Sequence, residues 1–435
     1  MIPQSSVMIS APIRDSAVES LRELLAKMNS GPGLADSRNR LVPFYQFSNL
    51  HLSRLLILES HVSDDIKAHG REPRPWRSTL VFLADVDGPA ESFLAELAVR
   101  AGPGLTKIFE HCEGFEPGAE TVLDWMRRHR VKPAASYVNW IGRTLTQVRE
   151  EQALHELLRG KIDQIQAGST IHTPREIHAL LQDCVAEARD SGSITLTPEP
   201  RTPLGWRVRN LVHFILPLLL LPILLPLAII LLIPFLIVLR THERRDPEVV
   251  PRPGRDRVHQ LAELEDHLVT NQFSAFGDVK PGLFRRYTLI LLLFALDYSS
   301  RHIYNKGYLT RVQTIHFARW VFLDDKRRLL FASNYDGSLE SYMDDFINKV
   351  AWGLNLVFSN GIGYPGTRWL IKGGAEQEQK FKNFLRRHQL YTDVWYKAYP
   401  DLTAVDLARN TRIRQGLENE NLRDNLDIRA WLAEI

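Results

Sequence analysis

Four polar residues in the C-terminal part of the chain could do chemistry: His316, Arg319, Asn334 and Asp336. His316 and Arg319 sit in TIHFARWVFL, a β-branched and aromatic stretch that reads as a strand. Period-two counting puts His316, Ala318, Trp320 and Phe322 on one face. Ile315, Phe317, Arg319, Val321 and Leu323 then lie on the other. A histidine there can serve as a general base or as a haem or metal ligand, and a hydrogen-bonded core histidine fits the same pattern. An arginine within an apolar row needs an anion beside it. That anion is either a helix carboxylate such as Asp344 or Asp345, or a bound substrate. Asn334 and Asp336, in the string SNYDG, would add polar groups to the same site. Asp-Gly between a strand and a helix is also how an N-cap looks, for Asp336 and for Asp87 alike.

Other chemistries lack their residues. No GxSxG, HExxH, P-loop or GxGxxG string occurs, so hydrolase, zincin and nucleotide-binding readings have no support. Only Cys112 and Cys184 are present, which excludes a disulfide scaffold and a Cys-rich metal site. Lys and Arg total 54 against 51 Asp and Glu, a net +3 that gives no footprint for nucleic acid. Nothing in the sequence points to an oligomeric state.

The elements that would position these residues occur twice. Phe82–Phe115 aligns without a gap with Phe331–Tyr364 at a shift of 249, which places Asp87-Gly88 on Asp336-Gly337 and Gly104 on Gly353. Upstream, LHLSRLLIL matches IHFARWVFL, pairing His51 with His316 and Arg54 with Arg319. Downstream, WMRRH matches FLRRH, which ends helices at His129 and His388. Each copy reads as a strand (Val7–Ile13; Gln272–Val279), a helix, two strands, an amphipathic helix and a last strand (Ala135–Ile141; Asp393–Tyr399). The long helices carry Phe93, Leu94, Leu97 and Leu105, or Tyr342, Phe346, Val350 and Leu354, on one side. This β-α-β-β-α-β order is that of a ferredoxin-like unit.

Between the copies, Leu211–Leu239 is an uncharged run of 29 residues, broken only by His213 and Pro217, Pro222, Pro226 and Pro234. It exceeds the roughly 20 residues a spanning helix needs. The prolines oppose a straight helix, and arginines flank both ends, so a re-entrant hairpin with both copies cytoplasmic is preferred to a kinked single span. A second patch, Tyr287–Leu296, is too short to span and reads as a core helix. No cleavable signal peptide is evident in MIPQSSVMISAPIRDS.

The strings TIHFARWVFLDD, LLFASNYDGSLESYMDDFINK and TNQFSAFGDVKPGLFRR resemble those of a largely uncharacterised bacterial protein group that shares TIHFARW and SNYDGSxESY. This resemblance covers most of the second copy and brings no activity with it. A distant resemblance at the level of fold is to dye-decolourising peroxidases, which pair two ferredoxin-like units around haem. Their GxxDG motif would place Asp336 over the haem, but Ser333 stands where the first Gly belongs. No position matches their proximal histidine. That resemblance implies haem as a cofactor.

The expectation is therefore an α+β fold of tandem duplicated ferredoxin-like units with a hydrophobic membrane segment inserted between them. The expected division is 1–145 and 266–435 for the two units, 146–205 for a helical connector, 206–240 for the membrane segment and 241–265 for a charged linker. Two functions fit it: a membrane-anchored, peroxidase-like oxidoreductase acting on an apolar substrate, with His316, Arg319, Asn334 and Asp336 as its site, or a non-catalytic scaffold or lipid-binding protein. The lipid bilayer of the inner or plasma membrane is the expected partner.

Overall fold

The computed structural model describes residues 1–168, 172–249, 251–419 and 425–435. The first copy runs β1 (Gln4–Pro12), α1 (Val18–Ala26), β2 (Leu50–Leu58), β3 (Thr79–Asp87), α2 (Ala90–Phe109), α3 (Val122–Arg128), β4 (Ala135–Val138) and α4 (Leu145–Ala167). After α5 (Pro174–Asp190) and the apolar helix α6 (Leu204–Arg245), the second copy repeats the order. It runs β5 (Thr270–Asp278), α7 (Leu283–His302), β6 (Ile315–Leu323), β7 (Arg328–Asp336), α8 (Leu339–Phe358), α9 (Glu378–His388), β8 (Val394–Lys397) and α10 (Ala404–Glu418), and α11 (Asn425–Leu432) follows.

The fold is α+β, with one main sheet per copy and the two last strands exchanged between them. The first sheet has the order β1-β3-β2-β8 and continues into the short strands Leu34–Ala35 and Asn29–Gly31. The second has the order β4-β6-β7-β5. β8 pairs antiparallel with β2, Val394 opposite Leu55, while β4 pairs with β6, Ala135 opposite Trp320. The last strand of each copy thus completes the sheet of the other. A closed ferredoxin-like unit keeps its own fourth strand, so the expected units are followed here only as far as their second helices. Each last strand leads directly into a helix, α4 or α10, and these two helices pack on one another through Glu151 and Thr411.

Strand alternation explains the layers. Val7, Ile9, Leu55, Ile57, Phe82 and Ala84 face α1 and α2, and Phe273, Ala275, Ala318, Trp320 and Phe331 face the helices of the second copy. The opposite faces meet each other through Met8, Leu56, Leu83, Phe276, Val321 and Leu330. Two sheets therefore stack face to face between outer helices, each apolar stripe buried against another layer. The stripes of α2 and α8 are buried as their spacing predicts.

The prolines do not break α6. It runs as one helix of 42 residues, about 63 Å at 1.5 Å per residue. The expected hairpin is thereby corrected, because no turn interrupts the run. Among the described residues α6 is the one helix long and apolar enough to cross a membrane, and its apolar window is unburied. It lies antiparallel to α7: His213 stacks near His302, with ring centroids 5.1 Å apart, and His242 stacks on Phe284 at 5.2 Å. Both ends are tied to the body. Near one end Tyr298 donates its hydroxyl to the Phe214 carbonyl at 3.1 Å, and near the other Glu243 accepts the Trp369 and Leu370 amides at 3.0 and 2.9 Å. Tyr287–Leu296 falls within α7. Leu289 and Leu293 are core, whereas Leu283, Tyr287, Leu291 and Phe294 form an exposed apolar row.

Candidate functional site

A β-bulge shapes the site in each copy. Ile315 pairs with Tyr335, yet Phe317 pairs with Asn334, so one extra residue sits in β6 at His316. β2 carries the same irregularity at His51, between Leu50 and Leu52. The bulge overturns the simple alternation expected for β6. Ile315 joins Ala318 and Trp320 on the helix side, and Phe317 faces the other sheet. Such a bulge re-aims a side chain, here a histidine towards the end of the neighbouring strand.

The two histidines find the same partner in both copies. His316 Nε2 lies 2.7 Å from Asp336 Oδ1, and His51 Nε2 lies 2.9 Å from Asp87 Oδ1. Each aspartate also bonds the strand across from it: Thr270 donates its hydroxyl to Asp336, and Gln4 its amide to Asp87 at 3.2 Å. Each then receives the first amide of the helix that follows a last strand. Ala404 N donates to Asp336 Oδ2 at 2.7 Å and Leu145 N to Asp87 Oδ2 at 2.7 Å.

The capping expectation is corrected in its target. Asp336 does not cap α8, where Ser338 is the N-cap and accepts the Ser341 amide at 3.2 Å. It holds the N-terminus of α10, where a carboxylate suits the helix dipole. Burial alone would raise the Asp336 carboxyl, but His316, the Thr270 hydroxyl and the Ala404 amide together hold it below the usual carboxylate range. Burial lowers His316, against the opposing pull of Asp336.

Arg319 and Asn334 lie elsewhere, between the sheets. Arg319 donates from Nη1 to the Val7 carbonyl at 2.8 Å and from Nη2 to Asp85. Arg54, its counterpart, donates to the Phe273 and Ser333 carbonyls at 3.0 and 2.8 Å and to Asn334. Val7 and Ala84 are paired as Phe273 and Ser333 are, and Asp85 and Asn334 follow, so the same contacts recur in the two halves of the chain. The expected partners of Arg319 are corrected: Asp344 pairs with Lys382 and Asp345 with Lys349 on the outer helix. One carboxylate, Asp85, serves two buried guanidinium groups. Burial, with Arg319 close by, brings Arg54 down to about 9.

The four residues expected to form one site therefore divide into a dyad, His316–Asp336, and two interlayer groups. The sequence reading missed those that surround the dyad. Lys397, buried, donates to Thr270 and to the Leu402 carbonyl at 2.6 Å, and burial lowers it to about 7. Tyr399 lies with its hydroxyl 3.3 Å from His51 Nδ1. Arg143, 4 % exposed, stacks over Trp140 at 4.2 Å and keeps Nε and Nη2 without a protein partner. A signal existed in the repeat, because Trp140 and Tyr399 occupy matching positions after the last strands. His51, His316, Arg143 and Tyr399 together border a cavity of about 20 Å³. That is room for about one water molecule.

Among the described residues no three His, Cys, Asp or Glu converge on a metal-sized site. Haem does not fit at His316 either: its Nε2 is engaged by Asp336, the ring is 2 % exposed, and the adjoining space is water-sized. The dyads instead join the ends of β3 and β7 to the helices that follow the exchanged strands. Compared with family models, curated proteins and solved structures, the chain finds no match.

Proposed function

We propose that the protein is a membrane-associated lipid-binding protein whose two copies of the repeat lie together on the cytoplasmic side of the inner or plasma membrane. The observation that carries this reading is α6, apolar on every side and unburied, yet tied to the body at both ends. A helix held to α7 near both ends, at Phe214 and at Phe235, and bowed away from it between them, has no room for a bilayer between its ends. It therefore lies along the membrane, sunk among acyl chains. The exposed row Leu283, Tyr287, Leu291 and Phe294 of the adjacent α7 enters with it. Arg207, Arg209, Arg240, Arg244 and Arg245 reach the head groups from either end.

Two measurements test this. Replacing Leu219, Ile223, Ile229 and Ile233 by arginine is expected to move the protein from membranes to the soluble fraction in vesicle flotation. Topology follows from Arg201→Cys and Arg252→Cys, both exposed, in a Cys184→Ser background. Burial pushes the Cys112 thiol up to about 12, so it stays silent. Both new thiols are expected to label from one side; labelling from opposite sides rejects the arrangement.

The other reading is a peroxidase-like oxidoreductase acting on an apolar substrate. It takes His316 as haem ligand or general base, and the engagement of its Nε2 by Asp336 beside a water-sized space speaks against haem at that residue. Haem supplementation is accordingly expected to give no Soret band, and a stoichiometric band would restore that reading.

A further inference from the structure

The outer layer of the second copy holds a cavity. Its volume is about 340 Å³, and it lies between α7, α8 and the helix-facing side of β6 and β7. Its walls are apolar, with Leu292, Leu296, Ala318, Phe346 and Leu354 among them. Its size is within the range of small-molecule sites. Trp320 also lines it, 5 % exposed.

The duplication shows how the space arises. In α2, a Cβ on Gly104 would overlap the Leu41 carbonyl, so the chain between β1 and β2 fills that place. Gly353 of α8 is its counterpart, and a Cβ there would meet nothing within 4 Å. Just before it, α8 is kinked, with Val350 at φ −145° and ψ 25°. Val350 and Gly353 both border the cavity.

The surroundings name the occupant. Leu292, Ala295 and Ser299 of α7 face the cavity, while Phe284, Tyr298 and His302 of the same helix contact α6. The cavity and the membrane helix are thus neighbours around α7, with exposed Ala295 between them. The cavity adjoins a second, more open one that shares Tyr304, Thr310 and Trp352 and adds Arg311 and Lys349. Lys349 is paired with Asp345 at 2.7 Å, and Arg311 is exposed.

We infer that this cavity takes one acyl chain of an anionic ester lipid drawn from the bilayer, with the lipid phosphate at Arg311 and Lys349. The inference rests on the membrane reading above for its source of lipid, and on the cavity alone for its chemistry.

The test uses full-length protein in dodecyl maltoside, incubated with 1-palmitoyl-lysophosphatidylglycerol, with retained lipid counted by native mass spectrometry. One equivalent is expected on the wild type. Gly353→Leu fills the cavity and is expected to lower retention at least tenfold with an unchanged or higher Tm, whereas Gly353→Ala has little effect on retention. Arg311→Gln with Lys349→Gln is expected to abolish the preference over 1-palmitoyl-lysophosphatidylcholine. No 1:1 retention by the wild type, equal retention by Gly353→Leu, or an undiminished preference in the double variant would each overturn the proposal. Flotation of the same preparation on vesicles separates the two readings. A protein that floats but retains no lysolipid has the membrane role without this site, and one that retains lysolipid but does not float has the site without that role.

Discussion

Asp336 and Ala404 stand 68 residues apart, yet the Asp336 carboxylate accepts the Ala404 amide at 2.7 Å and so starts a helix beyond the exchanged strand. The same carboxylate accepts from His316 and Thr270. Asp336→Asn removes the charge at the helix N-terminus and turns an NH₂ towards groups that are themselves donors. The variant is expected to lose about 2–4 kcal/mol in urea unfolding, as when a buried polar network is broken. A loss below about 0.5 kcal/mol would mean that the dyad is an incidental contact.

The dyad also gives stability a direction with pH. Asp336 is depressed in the folded state, so its contribution is present above the ordinary carboxylate pKa of about 4 and fades as pH falls below it. His316 is depressed too, so below about pH 6.5 the unfolded chain binds a proton that the folded chain refuses. Both terms weaken the fold on acidification. His316→Gln is expected to flatten the decline between about pH 6.5 and 5. An unchanged slope in chemical unfolding would show that His316 does not titrate differently in the two states.

Lys397 sets a second window. Burial brings it to about 7 in the fold, against about 10.4 in an unfolded chain. Between those values the unfolded chain binds more protons, so this residue's contribution grows as pH rises. The stability of the wild type relative to Lys397→Met is expected to increase from pH 7 to 10. A constant difference would refute a buried lysine that gives up its proton.

The sheet interface offers a charge exchange. Among the described residues Asp85 is the carboxylate that pairs with Arg319 and lies nearest Arg54, and Asn334 accepts from Arg54 as Asp85 does from Arg319. Asp85→Asn leaves two buried guanidinium groups without a counter-charge and is expected to cost about 3–5 kcal/mol. Adding Asn334→Asp should restore at least half of that loss, because Arg54 donates to Asn334 as Arg319 donates to Asp85. Thermal unfolding of the single and double variants measures it, and no recovery would argue against the equivalence.

How much of this was legible follows from where each partner lies in the chain. The repeat was visible because matching residues keep their order, and it placed His51 with His316 and Asp87 with Asp336. The dyad between them was hidden. Counting by twos fails at a bulge, and an Asp-Gly next to a helix reads as that helix's own cap. Arg319 was correctly seen to need an anion, but local carboxylates on α8 were the natural candidates, while Asp85 lies 234 residues away. The length and apolarity of α6 were plain from composition. Its continuity was not, since four prolines argue against a helix that here has neither a buried face nor a turn. Strand exchange leaves no mark in a sequence whose two last strands are equally suited to either sheet.

That exchange makes the strongest prediction about folding. β4 completes the sheet of the second copy, and β8 that of the first. A fragment ending at Pro203 would carry β4 with no β6 to pair with, and its β2 would be left as an edge without β8. Unpaired strands are poorly stable and prone to association. Each fragment of a chain cut after Pro203 is therefore expected to be unfolded or aggregated alone, whereas co-expression yields a 1:1 complex with native-like circular dichroism. The cut itself removes no paired strand, so complex formation reports on the exchange. A first fragment that folds alone as a monomer with a cooperative transition would show that β4 can close its own sheet.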